Sequence, residues 1–538
     1  MKGAIHASAT GLDRTPALDR IGDYPAYFAR HTPHADAVVT PSDVLSYEAF
    51  DGEINELARA MLAQGVRRGD RVAILAPPSP VHLAHFMAAA RIGAAWVGLN
   101  PRHTSDELEV VLRDAAPRLV VVTPEYDGRD YRETFGAFAE GCLADAVVVS
   151  LGGAARGLTG WRDVLATGQS VTDDALAAAV AEVTADDTVA IVYTSGTTGT
   201  PKGAMLSHRS VVTTARIQCA HWWAQPLRIL NNLPINHIGG AVQIACHALV
   251  AGGANVLMER FDPVALPTVV RDRGVTVIHQ VPTMYQLLLD RGAPTDEDFA
   301  SVQVLIWSGA AASRPLVERL RRFCDRLYTS YGQTETGGEV LYSPEGAGDE
   351  ELVDWVGLPD PRIEVRVAPQ AEDDPPSAGE LQVRGPTVMT GYWGRPEDTA
   401  ATVTDDGWLR TGDLAEVGPD GRLRIVGRLR DMFKSGGYNV YPREVEQVLE
   451  LHPGVSTAAV LGVPDPMFGE VGEAWVLTIS DAISPRDLDA HCRAHLANYK
   501  VPKTFHLRRD LPLLPVGKID KVALRALSRP EGRVGQDA

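Results

Sequence analysis

Apolar positions in the first third of the chain switch between two periods. Val72-Ala73-Ile74-Leu75 and residues 119–122 are apolar runs of strand length, the second bounded by Pro117 and Pro124. Between them, residues 82–92 are rich in small apolar side chains and predict a helix. Thr104-Ser105-Asp106-Glu107 has the Thr-x-x-Glu form of a helix start, where side chains satisfy the first free backbone groups. Leu108, Val111 and Leu112 follow at helical spacing. From about residue 24 to 180 strands thus alternate with helices. That order predicts βαβ units with parallel sheet, whose ligands bind beyond the carboxyl ends of the strands.

The pattern continues downstream. Residues 189–192 predict a buried strand, 206–217 a helix, 275–278 and 302–307 further strands. Residues 241–250 are one apolar run, and Val281-Pro282-Thr283-Met284-Tyr285 opens a helix. Residues 370–377 form a charged, proline-rich turn inside a run of short strand candidates. Pro442 suits a first helical turn, with Val445, Val448 and Leu449 as its apolar stripe.

Composition narrows the function. With 538 residues, 45% of them apolar, the chain can bury a large core over several domains or subdomains. A net charge of −18 argues against nucleic acid or an anionic membrane as partner and suits a soluble cytoplasmic enzyme. Any site for an anion must then be built locally. Five scattered cysteines without Cys-x-x-Cys or Cys/His spacing indicate neither a disulfide framework nor a zinc site. Residues 1–20 carry no leader-like apolar run, and no stretch is long enough to span a bilayer.

The strand at 189–192 runs into Tyr193-Thr194-Ser195-Gly196-Thr197-Thr198-Gly199-Thr200-Pro201-Lys202-Gly203. Glycines allow close backbone approach, successive amides and hydroxyls can surround an anion, and Lys202 adds positive charge. By composition this is a phosphate loop. It is not a Walker A loop, because the second glycine of that motif would fall at Pro201. Five further segments follow in order. Ser308-Gly309-Ala310-Ala311-Ala312 ends the strand at 302–307 and leaves a surface on which a flat group can lie. Then come Tyr331-Gly332-Gln333-Thr334-Glu335, Thr411-Gly412-Asp413, and the stretch from Gly427 to Glu446; Pro515-Val516-Gly517-Lys518 stands near the end. Alone, Thr411-Gly412-Asp413 reads as a turn, Glu335 as a surface carboxylate and His237 as a loop or core histidine.

Taken together, these motifs resemble those of the adenylate-forming superfamily: acyl-CoA synthetases, peptide-synthetase adenylation domains and luciferases. The resemblance spans essentially the whole chain. It implies an α/β fold: parallel or mixed sheets sandwiched by helices plus a β-rich subdomain in a large N-terminal domain (1–428), and a small, mobile α+β C-terminal domain (429–538) hinged near Arg430. It implies that ATP or AMP is bound by Thr194, Ser195, Gly196, Thr197, Thr198, Gly199, Lys202, Gly309, Ala310, Ala311, Tyr331, Gly332, Gln333, Thr334, Asp413, Arg428 and Lys518. Within that set Thr334 contacts the α-phosphate, Asp413 and Arg428 bind the ribose, and Lys518 is the adenylation lysine. Glu335 holds Mg²⁺, which needs only one or two carboxylates when phosphates supply the other oxygens. His237, Val281, Trp307, Gly309 and Gly338 line the acyl pocket, while Lys434, Ser435, Gly436, Gly437 and Tyr438 face CoA.

The implied reaction makes acyl-AMP from a carboxylate and ATP, then a thioester with CoA. The absence of an acidic residue beside His237 argues against an α-amino acid, and the pocket candidates suggest an aromatic or medium-chain acid. Ser435-Gly436-Gly437-Tyr438-Asn439 looks like a CoA ligase, and the lack of a carrier domain after residue 538 argues for a free-standing enzyme. A homodimer is compatible with this reading. The alternatives are transfer to a carrier protein or amine, activation of nitrite for diazotisation, and a non-catalytic nucleotide sensor.

Overall fold

The computed structural model describes residues 15–194, 201–369, 378–479, 483–514 and 517–528. The tip of the glycine-rich loop, including Ser195, Gly196, Thr197, Thr198 and Gly199, lies outside them, as do residues 370–377 and Pro515-Val516.

Two large sheets organise the N-terminal part. In one, strands Leu327–Gln333, Val304–Ser308, Val277–Gln280, Arg228–Asn231, Ala254–Leu257 and Asp36–Val39 are neighbours in that order and all parallel. The strand Gly338–Tyr342 adds antiparallel at one side. The second sheet carries Thr188–Thr194, Ala95–Gly98, Arg71–Leu75, Leu119–Val122 and Val147–Ser150, again parallel. All four residues of Leu119–Val122 are buried, because a parallel sheet is covered on both faces.

Helices fill the space between the sheets. Pro80–Arg91 is buried at nearly every position, which is why its sequence is small and apolar all round. Residues from this helix, from Tyr47–Ala63 and from His208–His221 share one core with side chains of both sheets, among them Trp96 and Leu257. The capping box at Thr104 is present: Glu107 N–H donates to Thr104 Oγ1, and Thr104 N–H to Glu107 Oε2 at 2.7 Å.

Three segments depart from the sequence expectation. The helix expected at 206–217 begins at His208, because Lys202–Ser207 is a strand antiparallel to Thr188–Thr194. Ser207 then caps the helix, its Oγ accepting from Ser210 N–H at 3.1 Å. The apolar run at 241–250 is split into a π-helix, Gly239–Cys246, and a short α-helix, His247–Ala251. Thr411-Gly412-Asp413 is not a turn but the middle of strand Leu409–Val417.

That strand belongs to a four-stranded antiparallel sheet with Glu364–Ala368, Ala378–Arg384 and Leu423–Arg428. The three-residue turn Leu429–Asp431 follows it directly. Beyond it, five strands form a separate mixed sheet flanked by helices Pro442–Glu450 and Pro485–His495. Val445 and Leu449 of the first helix pack with Val455, Val476 and Leu488 in a core of their own. No helix among the described residues is long and apolar enough to cross a membrane.

Candidate active site

The parallel strands Val304–Ser308 and Leu327–Gln333 end side by side, and the β-rich sheet lays Asp413 against them. Tyr331 hydroxyl donates to Asp413 Oδ2 at 2.6 Å, and Gln333 Nε2 donates to the same oxygen at 2.9 Å. Gln333 also reaches the Thr411 carbonyl at 3.0 Å. Arg428 stands opposite Asp413 in register on the next strand, its Nε 2.9 Å from Oδ1. Asp413 is 2% exposed, and a carboxylate so buried is tolerated only when paired and hydrogen-bonded. Burial and the Asp413 charge hold the Tyr331 hydroxyl well above the usual tyrosine range, so it stays a donor. Three donors use part of the capacity of a carboxylate with about four lone-pair sites, leaving room for a further hydroxyl.

Beside this cluster the 188–207 hairpin brings Thr194 opposite Lys202. Thr194 Oγ1 lies 3.5 Å from Glu335 Oε1, and the Tyr392 hydroxyl donates to that oxygen at 2.9 Å. Glu335 Oε2 has no hydrogen-bond partner among the described residues. Lys202 Nζ pairs with Asp398 Oδ1 at 2.5 Å and sits 5.4 Å from the Tyr392 ring centre. Its charge is therefore shared with a carboxylate at the base of the hairpin. Thr334 is buried, while Gly332 and Gln333 are half-buried. Among the described residues no group of three His, Cys, Asp or Glu could cage a metal ion. The donor set fits a magnesium ion that shares Glu335 with phosphate oxygens.

Lys518 reaches the site from the C-terminal part. Its turn closes on itself, with Leu514 N–H donating to the Lys518 carbonyl at 2.7 Å. The turn docks at the start of helix Pro282–Leu287, where Thr283 Oγ1 donates to the Gly517 carbonyl. Gly517 has φ +80°, and a Cβ there would lie 2.7 Å from Val281 Cγ2. Gly309 also has φ +80°, and its Cβ would lie 2.7 Å from Lys518 Cε and 3.1 Å from Nζ. Glycine at both places lets the ammonium lie against the Gly309 backbone. Ala310 and Ala311 continue that surface and are exposed. Among the described residues Lys518 Nζ makes no hydrogen bond or ion pair. Burial lowers its pKa, the Arg428 guanidinium lowers it further and Asp413 opposes both, leaving it at about 8.

His237 is close enough for Lys518 to act on it. Burial, and then the Lys518 charge, lower its pKa to about 4, so the ring is neutral. Gly239 N–H donates to Nδ1 at 3.2 Å, which places the ring proton on Nε2. A cavity of about 210 Å³ runs under the turn between Asn100, Asn236, Met284, Leu513 and Leu514.

Not every sequence candidate converges here. Trp307 is fully buried and packs with Leu305, Leu316 and Val317, whereas Ile306 on the same strand packs with Val281. Strand alternation turns Trp307 to the face opposite Val281, so it is core rather than pocket wall. Val281 and Gly338 stay with the site side. Lys434, Gly436, Gly437 and Tyr438 are exposed and Ser435 is buried, all on the hairpin of the C-terminal sheet. The structure does not bring them to the Lys518 cluster. Arg430 is half-exposed, 3.8 Å from Asp431. Tyr392, Asp398 and Thr283 escaped the sequence reading, because each acts through a partner distant in the chain and carries no local motif.

Residues 26–393 match the AMP-binding enzyme family, and residues 444–518 match the AMP-binding enzyme C-terminal domain. The chain belongs to this adenylate-forming family. Among similar proteins, a feruloyl-CoA synthase of Amycolatopsis sp is 37% identical to this AMP-binding enzyme over 512 residues, 94% of this chain and 98% of that one. The putative acyl-CoA synthetase YngI of Bacillus subtilis (strain 168) is 31% identical over 517 residues, 92% of this chain and 94% of that one. The crystal structure of ATP-bound MatB from Rhodopseudomonas palustris superposes with a TM-score of 0.81 at 29% identity, covering 96% of this chain and all of that one. The amide bond synthetase McbA from Marinactinospora thermotolerans gives 0.80 at 29%, covering 94% and 99%.

The lowered Lys518 ammonium sets one expected outcome. A polyanion prefers the protonated lysine, so ATP affinity of this AMP-binding enzyme falls as pH rises through about 8. Calorimetric titration across that range checks it. Lys518→Arg, which stays charged, removes the fall; a wild-type profile without a fall shows that the ammonium does not meet the nucleotide.

Proposed function

We propose that the protein is an ATP-dependent carboxylic acid–CoA ligase that works through an acyl-AMP intermediate. The observation that carries this reading is the unpartnered Lys518 ammonium, held against Gly309 next to the Asp413–Arg428 pair. A half-buried cation without a counter-ion is costly unless an anion joins it. The network around Asp413 supports ribose binding, since its remaining acceptor capacity suits a diol. The exposed Gly309–Ala311 backbone supports a flat base lying on it.

In the first half-reaction a carboxylate oxygen bonds to the α-phosphorus of ATP, and the bond from that phosphorus to the pyrophosphate oxygen breaks. No base is needed, because the carboxylate is ionised at neutral pH. Lys518, Thr334 and the donors around Thr194 are placed against the charge that builds on the phosphoryl oxygens. A magnesium ion at Glu335 would neutralise part of the same charge. His237 presents its Nε2–H as a neutral donor and adds no charge to the acyl side. In the second half-reaction the thiolate of CoA attacks the acyl carbon, the acyl–phosphate C–O bond breaks, and AMP leaves. The 210 Å³ cavity lined by Leu513, Leu514 and Gly517 is a path by which a thiol chain could approach.

The arrangement with Lys518 in the site and Gly436-Gly437 on the surface suits the first half alone. We therefore divide the chain at residue 428 into a large N-terminal domain and a C-terminal domain that turns about Arg430 between halves. A turn of three residues following a strand supports such a pivot. Lys434 to Tyr438 would then meet CoA. An aromatic or medium-chain acid is the substrate class, and the need for ATP and CoA supports a cytoplasmic location. A second reading, transfer to an amine, draws support from the overall similarity to an amide bond synthetase.

Pyrophosphate release over a panel of acids, with and without CoA and with products identified by mass, tests the whole reading. Lys518→Ala is expected to abolish acyl-AMP formation and spare thiolysis of supplied acyl-AMP; equal loss of both refutes the assigned role. Arg430→Pro is expected to slow thiolysis more than adenylation by stiffening the pivot. Half-rates that fall together would remove the pivot.

A further inference from the structure

Residues 392–398 hold several groups of the candidate phosphate side at once. The Tyr392 hydroxyl donates to Glu335 Oε1 at 2.9 Å, and Asp398 Oδ1 pairs with Lys202 Nζ at 2.5 Å. Trp393 N–H donates to the Gly203 carbonyl at 2.8 Å, which ties the segment to the strand that Lys202 opens. Arg395 stands between two carboxylates of this region. One is Asp114, in the last turn of helix Ser105–Ala115, whose Oδ1 accepts from Arg395 Nη2 at 3.1 Å. The other oxygen of Asp114 accepts from the Tyr193 hydroxyl at 2.7 Å. The second carboxylate is Asp398, whose Oδ2 lies 4.0 Å from Arg395 Nη1. Tyr193 and Lys202 flank the glycine-rich segment in sequence, so Arg395 is linked to each flank through one carboxylate. Its guanidinium is incompletely satisfied: Nε is buried and has no acceptor among the described residues. The Lys202 side chain is 14% exposed and that of Asp398 35%, so solvent screens their pairing only in part.

We propose that Arg395 is a positioning residue that lets Lys202 pass from Asp398 to the phosphates of the nucleotide. A lysine held by a carboxylate offers a phosphate less than a free one does. Lys202 uses one oxygen of Asp398, and Arg395 faces the other. When Lys202 turns to a phosphate, Asp398 would be left as a half-buried anion without a partner, which is costly. Arg395, already anchored by Asp114, takes it over. The exchange conserves charge: an ammonium–carboxylate pair opens, a guanidinium–carboxylate pair tightens, and an ammonium–phosphate contact forms. An arginine suits this place because its planar fork holds two carboxylates at once, where a lysine is a point charge. Arg395 acts through Asp398, not by contact with the nucleotide. This deepens the ligase reading and rests on it.

The test uses the full chain and measures its affinity for ATP with magnesium by calorimetric titration, so the acid need not be known. Arg395→Gln is expected to weaken binding roughly fivefold or more, because Asp398 then competes for Lys202 undiminished. Adding Asp398→Asn to that variant is expected to restore most of the loss. Adding Asp114→Asn instead, which restores the same net charge, is expected to restore none of it. The contrast separates a hand-over of Lys202 from a general effect of charge and from a merely structural role. Should Arg395→Gln melt well below the wild type, Arg395→Met takes its place in all three comparisons. Unchanged affinity in the folded Arg395 variant, no rescue by Asp398→Asn, or equal rescue by Asp114→Asn overturns the assignment of Arg395. A wild-type chain that binds no ATP instead sinks the ligase reading beneath it.

Discussion

An ammonium kept half-buried with no counter-ion among the described residues is the constraint around which this molecule is arranged. Burial and Arg428 both act against the Lys518 charge, and Asp413 only partly offsets them. The position is imposed by backbone. Leu514, Gly517 and Lys518 are joined by backbone hydrogen bonds, the Gly517 carbonyl is tied to Thr283, and Gly517 and Gly309 both have φ +80° where an added Cβ would collide. The energy of holding a cation there is recovered only when a polyanion arrives. In a chain of net charge −18, this is how a phosphate site is made: local cations are forced inward against the global field.

Asp413 shows the complementary device. It is a buried carboxylate satisfied by Tyr331, Gln333 and Arg428, drawn from two sheets. It links the antiparallel sheet to the end of the parallel one, and it balances Arg428, which would otherwise repel Lys518 further. The pair of positive groups coexists because one anion stands between them. Removing a partner from such a network leaves an uncompensated buried charge, so its geometry is rigid by electrostatic necessity.

Much of this was legible in the residues. The βαβ alternation, the Thr104 capping box and the strand at 119–122 follow from period and cap chemistry, which are local. The five motifs placed Glu335, Asp413, Arg428 and Lys518 because each sits in a short, distinctive context. What stayed hidden was decided at a distance. The pairing of Lys202 with Asp398, nearly two hundred residues on, has no local signal. Trp307 reads as a pocket wall until strand parity turns it to the other face. The helix start at 206 failed because Lys202–Ser207 pairs back on the preceding strand, a tertiary choice that overrides helical spacing. The π-helical winding of Gly239–Cys246 carried no signal, because an apolar run does not announce it.

The same distinction explains why the chemistry divides as it does between the two parts of the chain. Gln333 and Asp413 stand on inner strands, where a neighbouring strand on each side fixes them. Lys518 instead stands on a turn for which the described residues give one hydroxyl contact from Thr283 and the packing of Gly517 on Val281. Under the proposed pivot about Arg430, a cation docked so lightly leaves without disturbing Asp413, Glu335 or Gly309. Precision is thus invested in binding, and reversibility in catalysis. A site that must first make an anhydride and then surrender it to a thiol requires that asymmetry, because the cation that helps build charge on the phosphoryl group is not needed when the acyl carbon is attacked.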